Sequence, residues 1–354
     1  DIGLDPGYVL GWVGILTATF GSLMAVFQED VKRLLAYSSM GQLGYIVAAV
    51  ALMNHFGWVT ALYLSVNHFL YKGILFLAIA GVILRTGTHL MYRMGGLIKN
   101  LPWTFFAVMI AIIAMSGVPP LTGFGGKWML FNAMMDKGWY WLAALAFFSS
   151  AVAFLYMFRL LQTVFLGQRK LEHRELREAP AILVIPQFLL IVVIMVFSVY
   201  PKLLLDPLSA AIDPFFASTL VWEGAALQTR LGYWNAPMIM IIVGAVWAVP
   251  LGILGLLSLT MKIQPVKQFN IVYAAERPDR PENTHYAYNF FGHYDRALGF
   301  LVRPRATAFW DSACEWTHTM AASLRVLYTG NGQTYALFIL IFFIVLYFAN
   351  GGAA

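Results

Sequence analysis

Two bases one helical turn apart lie inside an apolar run of the sequence. His68 and Lys72 fall within residues 59–84, a stretch with no acidic residue. Residues four apart share one face of a helix, and neighbouring bases disfavour being charged together. A proton relay needs groups that exchange a proton near neutral pH. The structural alternative is a histidine bonded to a neighbouring helix and a lysine that reaches the edge of the run.

A third base, Lys127, follows an interruption in the run 103–135. Paired prolines break a helix, and glycines permit irregular backbone. The residues concerned are Gly117, Pro119, Pro120, Gly123, Gly125 and Gly126. Broken helices build ion sites in transporters, so we predict one here, with the positive end of the second half-helix opposing the Lys127 ammonium. The alternative is two ordinary short helices with Lys127 at a surface.

A polar track is the third candidate feature. Lys32 precedes an apolar run that contains Ser38, Ser39 and Gln42. These side chains could continue a path inward from Lys32 through bound water. The alternative is a solvated helix start whose charges only anchor it, and the sequence leaves both interpretations open.

The elements that carry these residues are membrane-spanning helices. Of the 354 residues, 60% are hydrophobic and 11% charged, against about 25% charged in soluble domains. A span needs roughly 20 mostly apolar residues, and only helices satisfy the backbone of such a segment in lipid. We predict an all-α polytopic fold of about eight spans: 7–27, 34–53, 59–84, 103–135 (broken), 139–158, 181–200, 236–261 and 335–349.

Basic residues predict the orientation of these spans. Lysines and arginines concentrate in the odd-numbered connections, which places those connections on the cytoplasmic side. Residues 293–328 mix aromatic residues with arginines and are expected to form an amphipathic helix at the cytoplasmic interface. That helix is either simple interfacial packing or a docking strip for a partner subunit.

Several chemistries are excluded. One cysteine, Cys314, rules out a disulfide framework and an iron–sulfur cluster on this chain. The sequence lacks a Gly-Lys-Ser/Thr phosphate loop, which excludes ATP-driven transport. Basic residues are scattered, so nucleic-acid binding is not expected. We expect no cofactor and no metal on this chain.

Four segments resemble a known family: 30–45 (DVKRLLAYSSMGQLGY), 68–77 (HFLYKGILFL), 94–97 (MGGL) and 117–127 (GVPPLTGFGGK). Together they are similar to the antiporter-like, proton-pumping membrane subunits of complex I, membrane-bound hydrogenases and multisubunit Na⁺/H⁺ antiporters. Order and spacing agree over roughly residues 1–200. The tail is similar to the large subunit of the hydrogenase-type branch.

The resemblance implies a fold of fourteen core helices with two inverted five-helix repeats. This chain would hold most of the second repeat and lack the first with its Glu–Lys pair. Lys72 would serve the central hydrophilic axis and Lys127 the exit half-channel, with His68 between or beside them. Two departures matter: Leu64 stands where complex I members often have a second histidine, and some relatives carry Glu at the position of Lys127.

The predicted organisation has four parts: a transmembrane core (1–200), a connection with a further span (201–261), a cytoplasmic-side region (262–334) and a final span (335–354). The expected function is translocation of protons, or Na⁺, by a subunit that carries no redox chemistry itself. Expected partners are other membrane-arm subunits, the family's first repeat and lipid, in a prokaryotic cytoplasmic membrane. The alternatives are a structural spacer without pumping and a free-standing antiporter component.

Overall fold

The structure is a computed structural model that describes residues 5–166, 171–260, 292, 296, 299–300, 305–327 and 330–349. The chain divides into two units, Asp1–Gly292 and His293–Ala354. Parts of the predicted regions 262–334 and 335–354, including most of 262–304, lie outside the described residues.

The described part of the first unit contains nine α-helices, one small sheet and three short 3-10 helices, Met91–Arg93, Leu97–Lys99 and Leu171–His173. The helices are α1 (Pro6–Val26), α2 (Val31–Val50), α3 (His55–Thr86), α4 (Pro102–Ser116), α5 (Thr122–Asp136), α6 (Tyr140–Leu161), α7 (Ala181–Val199), α8 (Lys202–Ile212) and α9 (Ala236–Thr260). A π-helical turn, Gln162–Leu166, extends α6.

The predicted spans are helical, and the predicted break in the fourth is confirmed, because α4 ends at Ser116 and α5 begins at Thr122. Six described helices are long and apolar enough to cross a membrane: α1, α3, α6 with its π turn, α7, α9 and the last helix of the chain. Helix α2 falls outside that set, but its 20 residues are about 30 Å long, enough to span the hydrocarbon.

Small residues bring α1 and α2 into close contact. A Cβ added at Gly44 would lie 2.4 Å from the Ala18 nitrogen, and one added at Gly14 would lie 2.7 Å from the Ala48 nitrogen. Neither position has room for a methyl group. Close backbone approach through small residues is a common way for helices to associate in lipid, and here it fixes α2 against its neighbour.

The odd-numbered connections between spans lie at one end of the helices, and the even-numbered connections lie at the other. At one end, Asp30 pairs with His89 at 2.9 Å and Arg85 donates to the Glu178 carbonyl. At the other, the Lys137 Nζ donates to the Leu52 carbonyl at 2.7 Å. Odd-numbered connections thus meet one another, as the predicted alternation requires. Which end faces the cytoplasm stays a prediction.

A three-stranded antiparallel sheet was not expected from the sequence. Its strands are β1 (Val221–Glu223), β2 (Ala226–Thr229) and β3 (Gly232–Asn235). Buried Leu227 and Trp234 form a hydrophobic cluster with Tyr63 of α3 and Met129 of α5. The sheet and α8 therefore cover α3 and α5 at the end where the even-numbered connections lie. The sequence suggested only a connection in this region.

The described helices of the second unit are α10 (Arg305–Leu327) and α11 (Gly332–Ala349). Helix α10 covers the later part of the predicted amphipathic region 293–328, and it carries exposed Phe309, Trp310 and Trp316. Helix α11 contains the predicted last span 335–349 and is apolar after its polar first turn. The membrane-surface position predicted for α10 stays a prediction.

Candidate ion pathway

Lys72 is buried in α3 and reaches α2. Its side chain is 5% exposed. The ammonium donates a hydrogen bond to the Leu35 carbonyl oxygen at 3.0 Å and another to the Ser38 hydroxyl, and it lies 6.0 Å from the centre of the Phe76 ring. A buried ammonium without such acceptors would be costly. The sequence-predicted residues Lys72 and Ser38 are therefore in direct contact.

The Leu35 carbonyl accepts from several donors. Besides Lys72, the hydroxyls of Ser38 and Ser39 donate to this oxygen at 2.8 Å and 3.0 Å. Serine hydroxyls in helices commonly bond backward to a carbonyl three or four residues earlier. Ser38, Ser39 and Lys72 thus share one acceptor on α2.

His68 lies on the same helix as Lys72 but is not hydrogen-bonded to it. The His68 ring stands edge-on to Tyr71, with 5.7 Å between ring centres. Its buried Nε2 has no hydrogen-bond partner among the described residues. The predicted four-residue spacing is realised, yet the Lys72 ammonium turns toward α2 rather than toward the imidazole.

The break between α4 and α5 depends on two glycines. Gly117 ends α4 with φ 73°, in the left-handed region that favours glycine. At Gly123, an added Cβ would lie only 1.7 Å from the Ala114 carbonyl oxygen. The first turn of α5 therefore packs directly on the last turn of α4, and only glycine fits.

Lys127 reaches back across this break. Its side chain is 5% exposed, and its ammonium donates to the Ser116 carbonyl at 2.8 Å and to the Ser150 hydroxyl at 2.7 Å. It also lies 5.6 Å from the centre of the Tyr45 ring. The alternative with Lys127 at an exposed surface does not match this burial.

A second helix end, which was not predicted from the sequence, also acts on Lys127. Because helical side chains point back toward the N-terminus of their own helix, the ammonium crosses the break and reaches the C-terminal carbonyl of α4 at Ser116. That end of a helix carries partial negative charge and stabilises a cation. The opposing effect of the positive end of α5 stays a prediction.

The other predicted track residues divide into two groups. The buried Gln42 accepts a hydrogen bond from the Tyr71 hydroxyl at 3.2 Å, and so joins α2 to α3 near Lys72. Lys32 lies in the first turn of α2 and is exposed. Asp30 caps that turn by accepting from the Lys32 backbone nitrogen at 2.8 Å. The structure places Gln42 against Tyr71, the sequence neighbour of Lys72, but keeps Lys32 at the helix start.

Several buried hydroxyl groups of this region were not predicted from the sequence. The Ser22 and Ser149 hydroxyls are 3.1 Å apart, and Ser150 binds Lys127. Tyr156 is fully buried. The signal available in the sequence was the spacing of Ser149 and Tyr156, seven residues apart and hence on one face of α6.

No group of three or more His, Cys, Asp or Glu side chains within the described ranges could hold a metal ion. The absence of cofactors on this chain stays a prediction.

Residues 5–153 match the family model described as NADH:quinone oxidoreductase/Mrp antiporter, transmembrane. The predicted resemblance is confirmed. Among curated proteins, the chain is 32% identical over 158 residues to NADH-quinone oxidoreductase subunit N of Desulforudis audaxviator, a match that covers 45% of this chain and 32% of the relative. It is 34% identical over 172 residues to F(420)H(2) dehydrogenase subunit N of Methanosarcina mazei, covering 46% and 34%.

Solved structures extend the antiporter-like similarity along the chain. A chain of the membrane-bound sulfane sulfur reductase, an archaeal respiratory membrane complex, superposes with TM-score 0.77 and 28% identity, covering 96% of this chain and 56% of that one. A chain of respiratory complex I from Thermus thermophilus gives TM-score 0.54 and 27% identity, covering 60% and 45%.

Residues 5–153 are thus similar to the membrane subunits of NADH:quinone oxidoreductases and Mrp antiporters, in agreement with the long apolar helices of this chain. Its structural neighbours are subunits of multisubunit membrane complexes. The chain spans about a third of the length of the curated relatives it matches.

Proposed function

We propose that this chain moves protons across a prokaryotic cytoplasmic membrane as one subunit of a larger respiratory-type complex. Redox chemistry would take place on other subunits, and this chain would need no cofactor of its own. The chain covers only part of its relatives' length. The function of the whole protein is therefore proposed from the segment that resembles those relatives.

The observation that carries the proposal is the setting of two lysines. Lys72 and Lys127 are both 5% exposed and both donate to neutral oxygen atoms. No acidic side chain of the described residues forms a salt bridge with either. Ionisable groups buried within membrane helices mark ion paths and proton relays. A stabilising role alone would be better served by an apolar side chain or a paired charge.

Na⁺ is a second possible cargo, but the contacts favour protons. A sodium ion needs a cage of oxygen ligands, whereas the oxygen atoms near Lys72 accept from its ammonium, whose positive charge would repel a second cation. Serine and tyrosine hydroxyls both accept and donate protons, so they suit proton transfer.

The test uses the intact complex reconstituted in vesicles, with Lys72→Ala and Lys127→Ala as separate variants. We expect each to abolish most proton translocation while electron transfer on the partner subunits continues. Lys137→Ala is the matched control, because the Lys137 ammonium also bonds a backbone carbonyl and lies 4.6 Å from the centre of the Trp139 ring, yet it is exposed at the end of α5.

Unchanged proton gradients in both alanine variants would refute the proposed roles and favour the structural-spacer alternative. Loss of activity in Lys137→Ala as well would show that lysine replacement disturbs the fold. Purification decides the antiporter alternative, because a free-standing antiporter would carry no co-purifying redox-metal subunits.

A further inference from the structure

Buried hydroxyl groups from α1, α2, α3 and α6 occupy the space between the two lysines. Tyr45, Tyr71 and Tyr156 lie close enough to influence one another electrostatically, and each is at most 3% exposed. An apolar membrane bundle has little reason to bury so many hydroxyls unless they are used, since each needs a partner.

The hydroxyl of Tyr156 stands out because it lies among polar side chains without a well-formed hydrogen bond to any of them. It lies beside Ser22, Ser38 and Gln42, yet it forms no hydrogen bond of ordinary geometry with any described residue. The neighbouring Gln42 Nε2 is likewise buried and without a partner there. Two such atoms side by side make a polar site in which water can serve as the partner.

The serines around Tyr156 have their own hydroxyl protons engaged. Ser38 donates to the Leu35 carbonyl at 2.8 Å, and Ser149 donates to the Ala18 carbonyl at 2.9 Å. Because Ser149 uses its proton in this way, Ser22 is the donor in the 3.1 Å contact between them. Tyr156 is therefore the donor in this group whose proton is free to change acceptor.

The position of Tyr156 joins the two lysine sites. Ser38, on one side, accepts from the Lys72 ammonium. Ser22, on the other, leads to Ser149, whose sequence neighbour Ser150 accepts from the Lys127 ammonium at 2.7 Å. The groups follow one another from Lys72 on α3 through α2 to Tyr156 on α6, and from there through α1 and α6 to Lys127 on α5.

We propose that Tyr156 is the relay through which a proton passes between Lys72 and Lys127, with water completing the step between Ser149 and Ser150. This inference rests on the proposed function. One N–H bond breaks at a charged Lys72 and one forms at a neutral Lys127, or the reverse. Each hydroxyl between them releases one proton as it accepts another, so no oxygen is left charged. For this step Ser38 turns its proton from the Leu35 carbonyl toward Tyr156. Ser149 turns its proton from the Ala18 carbonyl toward the water.

The test is Tyr156→Phe, which removes only the hydroxyl oxygen and keeps the packed ring. Tyr63→Phe is the matched control, because Tyr63 is also fully buried and its hydroxyl also lacks a partner among the described residues. Its ring instead packs near Trp234, 6.3 Å away between centres. Both variants are measured in the intact complex in vesicles, with complex assembly checked by size-exclusion chromatography.

We expect Tyr156→Phe to lower the proton flux by about tenfold. This is a smaller effect than the complete removal of a positioned proton-transfer group usually has, because water can partly replace the hydroxyl. Tyr63→Phe should retain the normal flux. The ratio of the proton flux in light water to that in heavy water should differ between Tyr156→Phe and the unmodified protein. A purely structural defect would leave this solvent isotope effect unchanged. Adding Tyr156→Phe to Lys72→Ala should cause no further loss, because both act on one path.

Normal flux in Tyr156→Phe, with the lysine variants inactive, would overturn the relay while leaving the proposed function intact. Normal flux in the lysine variants would overturn the proposed function itself. Equal losses in Tyr156→Phe and Tyr63→Phe, without an isotope effect, would assign the tyrosines to packing and refute the relay.

Discussion

Replacement of Gly123 by alanine tests whether the close contact at the helix break positions Lys127. The added Cβ would lie 1.7 Å from the Ala114 carbonyl oxygen. The ordinary minimum separation of carbon and oxygen is about 3.3 Å, so the two half-helices must part by about 1.6 Å. The bond from the Lys127 ammonium to the Ser116 carbonyl, now 2.8 Å, would then be broken.

The magnitude follows from three effects. Overpacking costs about 1–3 kcal/mol, and loss of a hydrogen bond to a charged group costs about 1.5–3 kcal/mol. Alanine gains about 0.5–1 kcal/mol over glycine within a helix. We therefore expect Gly123→Ala to lower the free energy of unfolding by roughly 2–5 kcal/mol and to impair proton translocation with it.

The assay is thermal unfolding of the purified complex, with proton flux measured on the same preparation. Gly126→Ala is the matched control on the same helix, because its Cβ would meet the Leu64 Cδ2 atom at 2.7 Å, the end of a side chain that can rotate away. If Gly123→Ala unfolds at the same temperature as Gly126→Ala and pumps normally, the close contact does not position Lys127.

Two further predictions concern α2. Ser38→Ala removes one of the two acceptors of the Lys72 ammonium. We expect the proton flux, measured in vesicles, to fall several-fold while assembly of the complex is unchanged. Normal flux would show that the Leu35 carbonyl alone is a sufficient acceptor. Gly44→Ala should lower the thermal unfolding temperature of the complex, because its Cβ would lie 2.4 Å from the Ala18 backbone nitrogen. The control Gly73→Ala should be tolerated, because its Cβ would meet only the flexible Leu190 side chain, at 3.0 Å. Equal stability of the two would argue against tight packing of α1 on α2.

The helices were predictable because long apolar runs have one solution in lipid, and the break was predictable because Pro119 and Pro120 cannot continue a helix. The sheet was not, since its strands are only three or four residues long and carry too short a pattern to reveal strand pairing.

Within the site, spacing predicted which side chains share a helix but not which neighbour they reach. The Lys72 ammonium contacts α2 instead of His68, because tertiary packing decides where a long side chain finds its acceptors. The contact between Lys127 and the end of α4 was not predictable, because it depends on the length of the side chain and on how the two half-helices pack. Tyr156 was missed because a tyrosine in an apolar run is more often plain packing.

The Leu35 carbonyl has a consequence for the mechanics of α2. Three side-chain donors, from Ser38, Ser39 and Lys72, converge on this one oxygen, which offers two lone pairs. The three bonds therefore compete, and a neutral lysine, which binds more weakly than an ammonium, lets the serines draw closer to the oxygen. A change in the protonation of Lys72 would therefore redistribute the hydrogen bonds of one turn of α2.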